Sequence, residues 1–249
     1  PLMAWVLAVL GNTLAQATQT SSDSALRPVQ IGVAAALLWL CSPLAGLLGM
    51  VATTDTPLLL CWALALYALW SAAGSNPREA QLTADLLVQA NLSGHDSHGV
   101  GMIPKYVLSW QADELQLNQT LRVVHDGGSL LNVDGQCGMG QAVAEEAMAL
   151  AIARAQQHGV CILGLHHSHH IGRVGHWAEQ ACSAGLIAIH FVNVLSSALV
   201  APFGGRQARF GTNPFTIGVP RADAPPLVLD FATSAIAMAL RSLRPNTSP

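Results

Sequence analysis

Histidine is concentrated in one short stretch of the chain. Four of the ten histidines lie at positions 166–170, and His176 follows shortly after them. Imidazole exchanges a proton near neutral pH and also binds transition metals, so the cluster indicates either acid–base catalysis or a metal site. The spacing leaves both open: His166 could pair with His169 or His170 on a helical face, but no His-Glu-x-x-His arrangement is present.

A second pair of histidines lies in the loop His95-Asp-Ser-His98. A neutral histidine at a helix N-terminus can donate a hydrogen bond to a substrate oxygen, because the helix dipole disfavours imidazolium. The simpler alternative is that Asp96 or Ser97 only caps the helix that follows.

A long connection rich in glycine and proline covers residues 202–214. Connections of this length within a domain are usually functional or disordered. Thr212 and Asn213 offer a hydroxyl and an amide to a ligand, and Arg206 and Arg209 could pair with an anion. A solvated basic loop is the alternative interpretation.

These groups are separated by segments with regular apolar patterns. Asn76-Pro77 begins a predicted helix that stops at Gly94, with Asn as the N-cap and Pro at the first helical position. The later patterns predict helices at about 100–112, 141–157 and 174–184, a hairpin over 121–133, and strands at 160–165, 186–192, 215–219 and 227–231. Alternating helices and strands predict an α/β layer with active groups at strand ends. The glycines at 135, 138 and 140 do not form Gly-x-Gly-x-x-Gly, so they favour a tight turn over a classical dinucleotide fold.

The overall composition argues against nucleic acid as a partner and favours the cytoplasm. Only 10% of the 249 residues are charged and the formal net charge is −3, so nucleic acid is not expected as a partner. Five widely spaced cysteines predict reduced thiols in a cytoplasmic protein.

The first 73 residues form an apolar segment that differs from the rest. Residues 31–52 are long enough to span a bilayer as a helix, and residues 57–73 are of borderline length. Membrane association through 31–73 is one interpretation of this apolar helical segment. The others are a piece of a neighbouring membrane gene and a frame-shifted stretch of the same gene.

Five motifs in a fixed order give a specific resemblance. They are Gly-His-Asp-Ser-His-Gly-Val-Gly-Met-Ile-Pro at 94–104, Ser-His-His-Ile-Gly-Arg-Val-Gly-His-Trp-Ala-Glu at 168–179, Ala-Pro-Phe-Gly-Gly at 201–205, Arg-Phe-Gly-Thr-Asn-Pro-Phe at 209–215 and Leu-Asp-Phe-Ala-Thr-Ser-Ala-Ile-Ala at 229–237. Together they resemble the malate/L-lactate dehydrogenase-like family over residues 74–238. The resemblance implies a non-Rossmann α/β fold, an NAD- or NADP-dependent conversion between a 2-hydroxy acid and a 2-oxo acid, and a homodimer. It also implies that no metal takes part.

The same resemblance implies roles for individual residues. His170 corresponds to the catalytic acid/base and His98 to a histidine on the substrate side, while His166, His167 and His169 are then mostly scaffold. The implied contacts to the nicotinamide cofactor are Ser196, Asp230, Phe231 and Ala232. The implied contacts to the substrate are Thr212, Asn213, Lys105 and Arg173.

Departures from the family pattern occur at two places, one in the matching region and one after it. Met102 stands where many members have an arginine, so Lys105 or Arg173 is expected to hold the substrate carboxylate. The family pattern stops after residue 238, and residues 239–249 form an aberrant tail, which makes the dehydrogenase-like domain incomplete. Two other hypotheses stay open at this stage: a membrane-attached histidine-rich metal-binding protein and an inactive gene fragment.

Overall fold

The computed structural model describes residues 56–195 and 198–234. The apolar run at 31–52, Ser196 and the tail at 239–249 therefore lie outside the described residues. None of the helices in the described part is long and apolar enough to cross a membrane.

Three helices form the first layer of the fold. Helix α1 covers Thr56–Ala73, α2 covers Pro77–Leu92 and α3 covers Ile103–Gln111. The Oδ1 atom of Asn76 accepts a hydrogen bond from the Glu79 amide at 2.9 Å, which confirms the predicted N-cap of α2. The apolar run at 57–73 is part of this layer, because Leu66 and Trp70 of α1 are buried in one core with residues of α2 and α3.

The first sheet has three strands and carries part of the histidine cluster on its last strand. Strand β1 (Arg122–Asp126) pairs antiparallel with β2 (Leu130–Gly138), and β2 pairs parallel with β3 (Ile162–Ser168). Helix α4 (Gly140–His158) connects β2 to β3 and ends at Gly159, whose φ of 81° is the left-handed conformation typical of a residue after a helix. The predicted hairpin, helix and strand are confirmed here.

The second sheet has three antiparallel strands. Strand β5 (Pro214–Val219) lies between β4 (Ala188–Phe191) and β6 (Leu227–Ala232). Helix α5 (Val174–Ser183) packs on one face of this sheet, so closely that a Cβ atom on Gly218 would lie 2.9 Å from the side chains of Ala178 and Cys182.

The α/β prediction is confirmed, and the architecture is not a doubly wound parallel sheet. Only the β2–β3 pair is parallel among the strand pairs in the described ranges. The expected capping by Asp96 or Ser97 is wrong. Residues 96–98 and 100–102 form two 3₁₀ turns before α3, and neither of these side chains makes a capping bond. Asp96 instead accepts a hydrogen bond from the Asn91 side chain at 2.6 Å.

Candidate active site

The end of β3 and the turn after it bring His170 against α3. The Nδ1 atom of His170 lies 2.7 Å from the hydroxyl of Tyr106, and that hydroxyl lies 3.4 Å from the His170 carbonyl oxygen. The Nε2 amide of Gln141, in the first turn of α4, donates to the same hydroxyl at 2.7 Å. Tyr106 and Gln141 are both completely buried.

One arrangement of protons satisfies all three contacts on the Tyr106 hydroxyl. The tyrosine has a single proton, which it donates to the His170 carbonyl oxygen, while its oxygen accepts from Gln141. The 2.7 Å contact alone fits either tautomer of His170, and all three contacts are made together in the tautomer that carries its hydrogen on Nδ1. In that tautomer the Nε2 atom of a neutral His170 has a free lone pair.

Burial makes the charged form of His170 unfavourable. Loss of solvation, with smaller effects from His98, Lys105 and His169, lowers the pKa of His170 to about 3. Burial and the charge of Lys105 also lower the pKa of the neighbouring His169 to about 4. Both imidazoles are therefore neutral at pH 7 in the ligand-free protein.

His98 lies directly beside His170. The two rings are stacked with centroids 5.3 Å apart and an angle of 26° between their planes. The His98 Nδ1 atom contacts the Ser97 hydroxyl at 2.9 Å, which fixes the orientation of its ring. Burial lowers the pKa of His98, and Asp230 partly opposes that effect. The structure thus brings together the two histidines that the sequence singled out as catalytic.

The turn that carries His170 is held against the start of α4. The His169 amide donates to the Gly138 carbonyl oxygen at 3.1 Å. Gly140 has no room for a side chain, because a Cβ atom there would overlap the His170 carbonyl group. Gly140 is therefore the point of close approach between the start of α4 and the turn that carries His170.

Asp230 connects the second sheet to the N-terminus of α5. Its Oδ2 atom accepts from the Gly175 amide at 2.7 Å, and its Oδ1 atom accepts from the Thr216 hydroxyl at 2.8 Å. A carboxylate at this position caps the helix and complements its dipole. Both carboxylate oxygens are thus engaged by protein donors.

The remaining predicted cofactor and loop residues occupy other places. Phe231 is half exposed and its ring contacts Phe215 on the face of the sheet opposite Asp230, and Ala232 ends β6. The Oδ1 atom of Asn213 accepts from the Val194 amide at 2.9 Å, and Thr212 accepts from Thr233. No contact described for Thr212 or Asn213 joins them to His170.

The two candidate carboxylate anchors differ in their surroundings. Arg173 is largely buried and its Nη2 atom pairs with Glu179 at 2.6 Å. Lys105 lies one residue before Tyr106 and is half-buried, and burial lowers the pKa of its amine while Glu114 opposes that effect. The charge of Lys105 lowers the pKa values of both His169 and His170, so its amine lies near these two imidazoles.

Four residues beside the predicted site residues have no distinctive pattern in the sequence: Tyr106 and Gln141 next to His170, and Thr216 and His190 next to Asp230. His190, Thr216 and Asp230 are directly opposite one another on β4, β5 and β6. The Nε2 atom of His190 is buried without a hydrogen-bond partner. Only the pairing of distant strands and helices reveals these residues, so a single sequence gives no signal for them.

His166 and His167 lie apart from the catalytic pair. Both are on β3, a strand, so the helical pairing of His166 with His169 or His170 is wrong. His167 Nδ1 contacts Asp134 Oδ1 at 3.2 Å, and His166 Nδ1 contacts the side-chain oxygen of Asn132 at 3.1 Å.

Comparison with family models gives two matches. Residues 64–241, more than half of the chain, match the model described as malate/L-lactate dehydrogenase. Residues 26–90 match a model described as dolichyl-phosphate-mannose-protein mannosyltransferase, which is a much smaller part of the chain.

Curated relatives and solved structures agree with the larger match. Hydroxycarboxylate dehydrogenase B of Escherichia coli K12 is 54% identical over 172 residues, which cover 69% of this chain and 48% of that protein. L-lactate dehydrogenase of Cupriavidus necator is 43% identical over 157 residues, covering 62% of this chain and 45% of the relative. Malate dehydrogenase from Pyrococcus horikoshii superimposes with a TM-score of 0.69 at 34% identity, covering 73% of this chain and 51% of that one. The chain thus spans about half the length of the relatives it matches.

Proposed function

Because the chain belongs to the malate/L-lactate dehydrogenase family, we propose that it carries the proton-transfer site of a 2-hydroxy acid dehydrogenase dependent on NAD or NADP. The observation that supports this most directly is the pair of stacked, buried histidines, one of which has its Nδ1 atom tied to Tyr106. The substrate class is a small 2-hydroxy acid or its 2-oxo partner.

His170 is the proposed acid/base. In the oxidative direction its free Nε2 atom takes the proton of the substrate hydroxyl, and Nδ1–H continues to donate to the Tyr106 oxygen. In the reductive direction the imidazolium returns that proton to the developing alkoxide. A bound substrate carboxylate would raise the pKa of His170 from its low value, because a nearby negative charge favours imidazolium.

His98 is proposed to hold the reacting oxygen. Its ring is stacked on that of His170, so an oxygen atom at the edge of the stack can contact both imidazoles. A neutral His98 can donate one hydrogen bond to a carbonyl oxygen without requiring a buried positive charge. Burial keeps the pKa of His98 below its usual value, which is consistent with this role.

Lys105 is the better proposed anchor for the substrate carboxylate. Arg173 pairs with Glu179 at 2.6 Å, and no described contact or charge effect joins it to His170. Lys105 is close enough to His169 and His170 to lower their pKa values, and a carboxylate at Lys105 would lie beside them. Thr212 and Asn213 are proposed to line the substrate pocket from the loop before β5.

The nicotinamide cofactor, when bound, supplies or accepts the hydride. The described residues leave a polar position for such a ligand, because the buried Nε2 atom of His190 has no partner and lies across β5 from Asp230. Asp230, Phe231, Ala232 and Ser196 are the proposed contacts. The carboxylate of Asp230 is engaged by Gly175 and Thr216, so its contribution to binding would come from the backbone.

The test is an activity screen on this chain and on a polypeptide of family length that contains residues 64–241. Each is mixed with NADH or NADPH and a panel of 2-oxo acids, and cofactor oxidation is followed by absorbance. We expect turnover with at least one acid in the family-length protein, and its loss in His170→Ala. Absence of turnover with every acid and both cofactors would contradict the proposal.

A homodimer in the cytoplasm is also proposed. An apolar face of the second sheet is exposed, with Phe191 82% and Leu229 52% accessible, and such faces commonly mark protein contacts. The four described cysteines are free thiols, as expected in a reducing compartment. Light scattering after size-exclusion chromatography should give twice the chain mass, and Phe191→Asp should reduce it. A monomer at micromolar concentration would exclude the dimer.

A further inference from the structure

Asp134, His166 and His167 form a second cluster, here called the Asp134 cluster, that the proposed reaction does not use. Asp134 is on β2, and its Cα partner in the neighbouring parallel strand is His166. Each residue contributes one ligating atom, and these three atoms lie within 4.8 Å of one another. Among the residues that the structure describes, this is the one group of three or more histidine, cysteine or acidic side chains with such spacing.

The backbone departs from regular strand geometry to make the two imidazoles converge. Adjacent residues of a strand normally point to opposite faces, so His166 and His167 should not reach the same carboxylate. His167 has a φ of 50°, and Gln136 and Cys137 on the opposing strand have φ values of 54° and 55°. The β2–β3 register also shifts between Asp134 and Gly138. Non-glycine residues rarely adopt these angles, and such strain is concentrated at functional sites.

The convergence leaves both rings facing the carboxylate. His167 Nδ1 is 3.2 Å from Asp134 Oδ1, and His166 Nε2 is 3.9 Å from Asp134 Oδ2. Two ligands bound to one ion at about 2.0–2.2 Å and a tetrahedral angle are about 3.3–3.5 Å apart. The two observed separations lie on either side of that value, so small side-chain rotations would complete the geometry.

Neighbouring groups orient the proposed ligands. The Gln136 amide donates to Asp134 Oδ1 at 2.9 Å. The side-chain oxygen of Asn132 lies 3.1 Å from His166 Nδ1 and accepts its hydrogen, which leaves the Nε2 lone pair directed at Asp134. A hydrogen bond from the far ring nitrogen to a protein oxygen is the arrangement that usually fixes a metal-binding histidine.

We propose that the Asp134 cluster binds a divalent transition metal ion. Two imidazoles and one carboxylate suit Zn²⁺, Ni²⁺, Cu²⁺ or Fe²⁺ rather than Mg²⁺ or Ca²⁺, which prefer oxygen ligands alone. Asp134 is buried, whereas His167 is exposed, so an ion can enter from the His167 side and keep water at its remaining positions. The site is an accessory site on the dehydrogenase domain, separate from His98 and His170.

Arg122 competes with the ion. Its Nη2 atom pairs with Asp134 Oδ2 at 2.6 Å, and its side chain is 66% exposed. The guanidinium is therefore free to move into solvent, but its positive charge opposes that of a bound cation. Removal of the Arg122 charge should therefore increase the affinity for the metal ion, whereas loss of a ligand should decrease it.

The test is titration of the purified, metal-free chain with Zn²⁺ by isothermal calorimetry at pH 7.5. We expect one Zn²⁺ per chain. His166→Asn and His167→Asn should each weaken binding at least tenfold, whereas Arg122→Gln should tighten it severalfold. His125→Gln is the matched control, because His125 is an exposed histidine on the adjacent strand β1 and should change nothing.

Several outcomes would overturn the proposal. They are the absence of stoichiometric Zn²⁺ binding, unchanged affinity in the double variant His166→Asn/His167→Asn, and an equal loss in His125→Gln. Loss of binding in His170→Asn with retention in His167→Asn would place the ion at the catalytic pair and also contradict the site. Circular dichroism of each variant distinguishes lost ligands from lost folding, and the gain expected from Arg122→Gln cannot arise from unfolding.

Discussion

At the scale of single residues, the proposed proton transfer by His170 depends on the hydrogen bonds of the Tyr106 hydroxyl. It accepts from Gln141 and contacts both Nδ1 and the carbonyl oxygen of His170. Because it is completely buried, its pKa is raised and the hydroxyl stays protonated. We therefore propose that Tyr106 is a positioning residue, which holds His170 in the tautomer with a free Nε2 lone pair.

Tyr106→Phe removes the hydroxyl and retains the ring. We expect kcat for oxidation of the 2-hydroxy acid to fall about 10–100-fold, with a smaller change in KM, because His170 loses its fixed tautomer. Tyr67→Phe is the matched control, since Tyr67 is the other tyrosine in the chain and lies on α1. Equal kcat values in Tyr106→Phe and the unchanged protein would exclude the positioning role.

The low pKa of His170 predicts different pH profiles of kcat/KM for the two directions. With a pKa of about 3, the ligand-free protein holds His170 neutral from pH 5 to 9. The value of kcat/KM for oxidation should show no inflection from this group over that range. For reduction it should fall about tenfold per pH unit, because the imidazolium fraction falls at that rate above the pKa. A plateau in the reductive profile below pH 6.5 would contradict this.

The sequence identified some of these residues and not others for a physical reason. His98 and His170 lie in motifs with an unusual density of histidine, so their chemistry is visible locally. Tyr106 and Gln141 are ordinary residues of a helix until α3 and the start of α4 meet, and that contact joins residues 35 positions apart. Asp230 was expected at the cofactor, and its two bonds to Gly175 and Thr216 became visible only in three dimensions.

At the scale of elements, the start of α4 controls the position of the turn that carries His170. The His170 carbonyl group lies against Gly140, where any side chain would overlap it. This contact explains why a glycine is needed at the first residue of a helix that otherwise has many good helix formers.

Gly140→Ala should displace the His170 turn. We expect a loss of about 1–3 kcal/mol in the free energy of unfolding, as for other overpacked sites, together with a fall in kcat of at least tenfold. Gly159→Ala is the control, because it has open space and only its φ of 81° is unfavourable. The free energy of unfolding of Gly159→Ala should fall by about 1 kcal/mol, and its kcat should not change. Urea unfolding measures the change in stability of each variant, and steady-state kinetics measure its kcat. A Gly140→Ala protein with unchanged kcat would show that the contact between Gly140 and the His170 carbonyl group is not needed for catalysis.

Asp230 should contribute to the stability of α5. Asp230→Asn weakens the bonds to Gly175 and Thr216 and removes the charge at the helix N-terminus, so we expect a loss of about 1–2 kcal/mol in unfolding free energy. Asp223→Asn, in the exposed turn before β6, should change it by less than about 0.5 kcal/mol. If Asp230→Asn changed only the KM for the cofactor, the capping role would be excluded.

The elements themselves were largely predictable from apolar periodicity and caps. Asn76-Pro77 begins a helix as expected. Strands β5 and β6 are each one residue longer than the strands predicted at 215–219 and 227–231. The structure of the loop at 95–98 was not predictable in this way, because it is part of two 3₁₀ turns that have no side-chain cap. A short polar loop has several nearly equivalent solutions, and tertiary contacts decide among them.

At the scale of the whole molecule, burial lowers the pKa of five histidines. They are His98, His169, His170, His176 and His190. The unfolded chain begins to bind protons at these positions near pH 6.5, and the folded chain binds them only at lower pH. Stability should therefore fall as the pH decreases from about 6.5 toward 4.

Thermal unfolding at pH 5.0 and 7.5 measures this effect. We expect a lower Tm at pH 5.0, and a smaller difference between the two pH values in the double variant His169→Gln/His170→Gln, which removes two of the most strongly affected groups. A Tm that is equal at both pH values would contradict the burial of neutral histidines.

His170 is the proposed proton carrier in a hydride-transfer reaction. This role is tested most directly by comparing His170→Gln with His158→Gln, an exposed histidine at the end of α4, in the family-length polypeptide. The kcat for reduction of the best 2-oxo acid should fall about 10²–10⁴-fold in His170→Gln, with cofactor affinity unchanged, and should be unaltered in His158→Gln. A kcat within threefold of the unchanged protein in a folded His170→Gln variant would contradict the account.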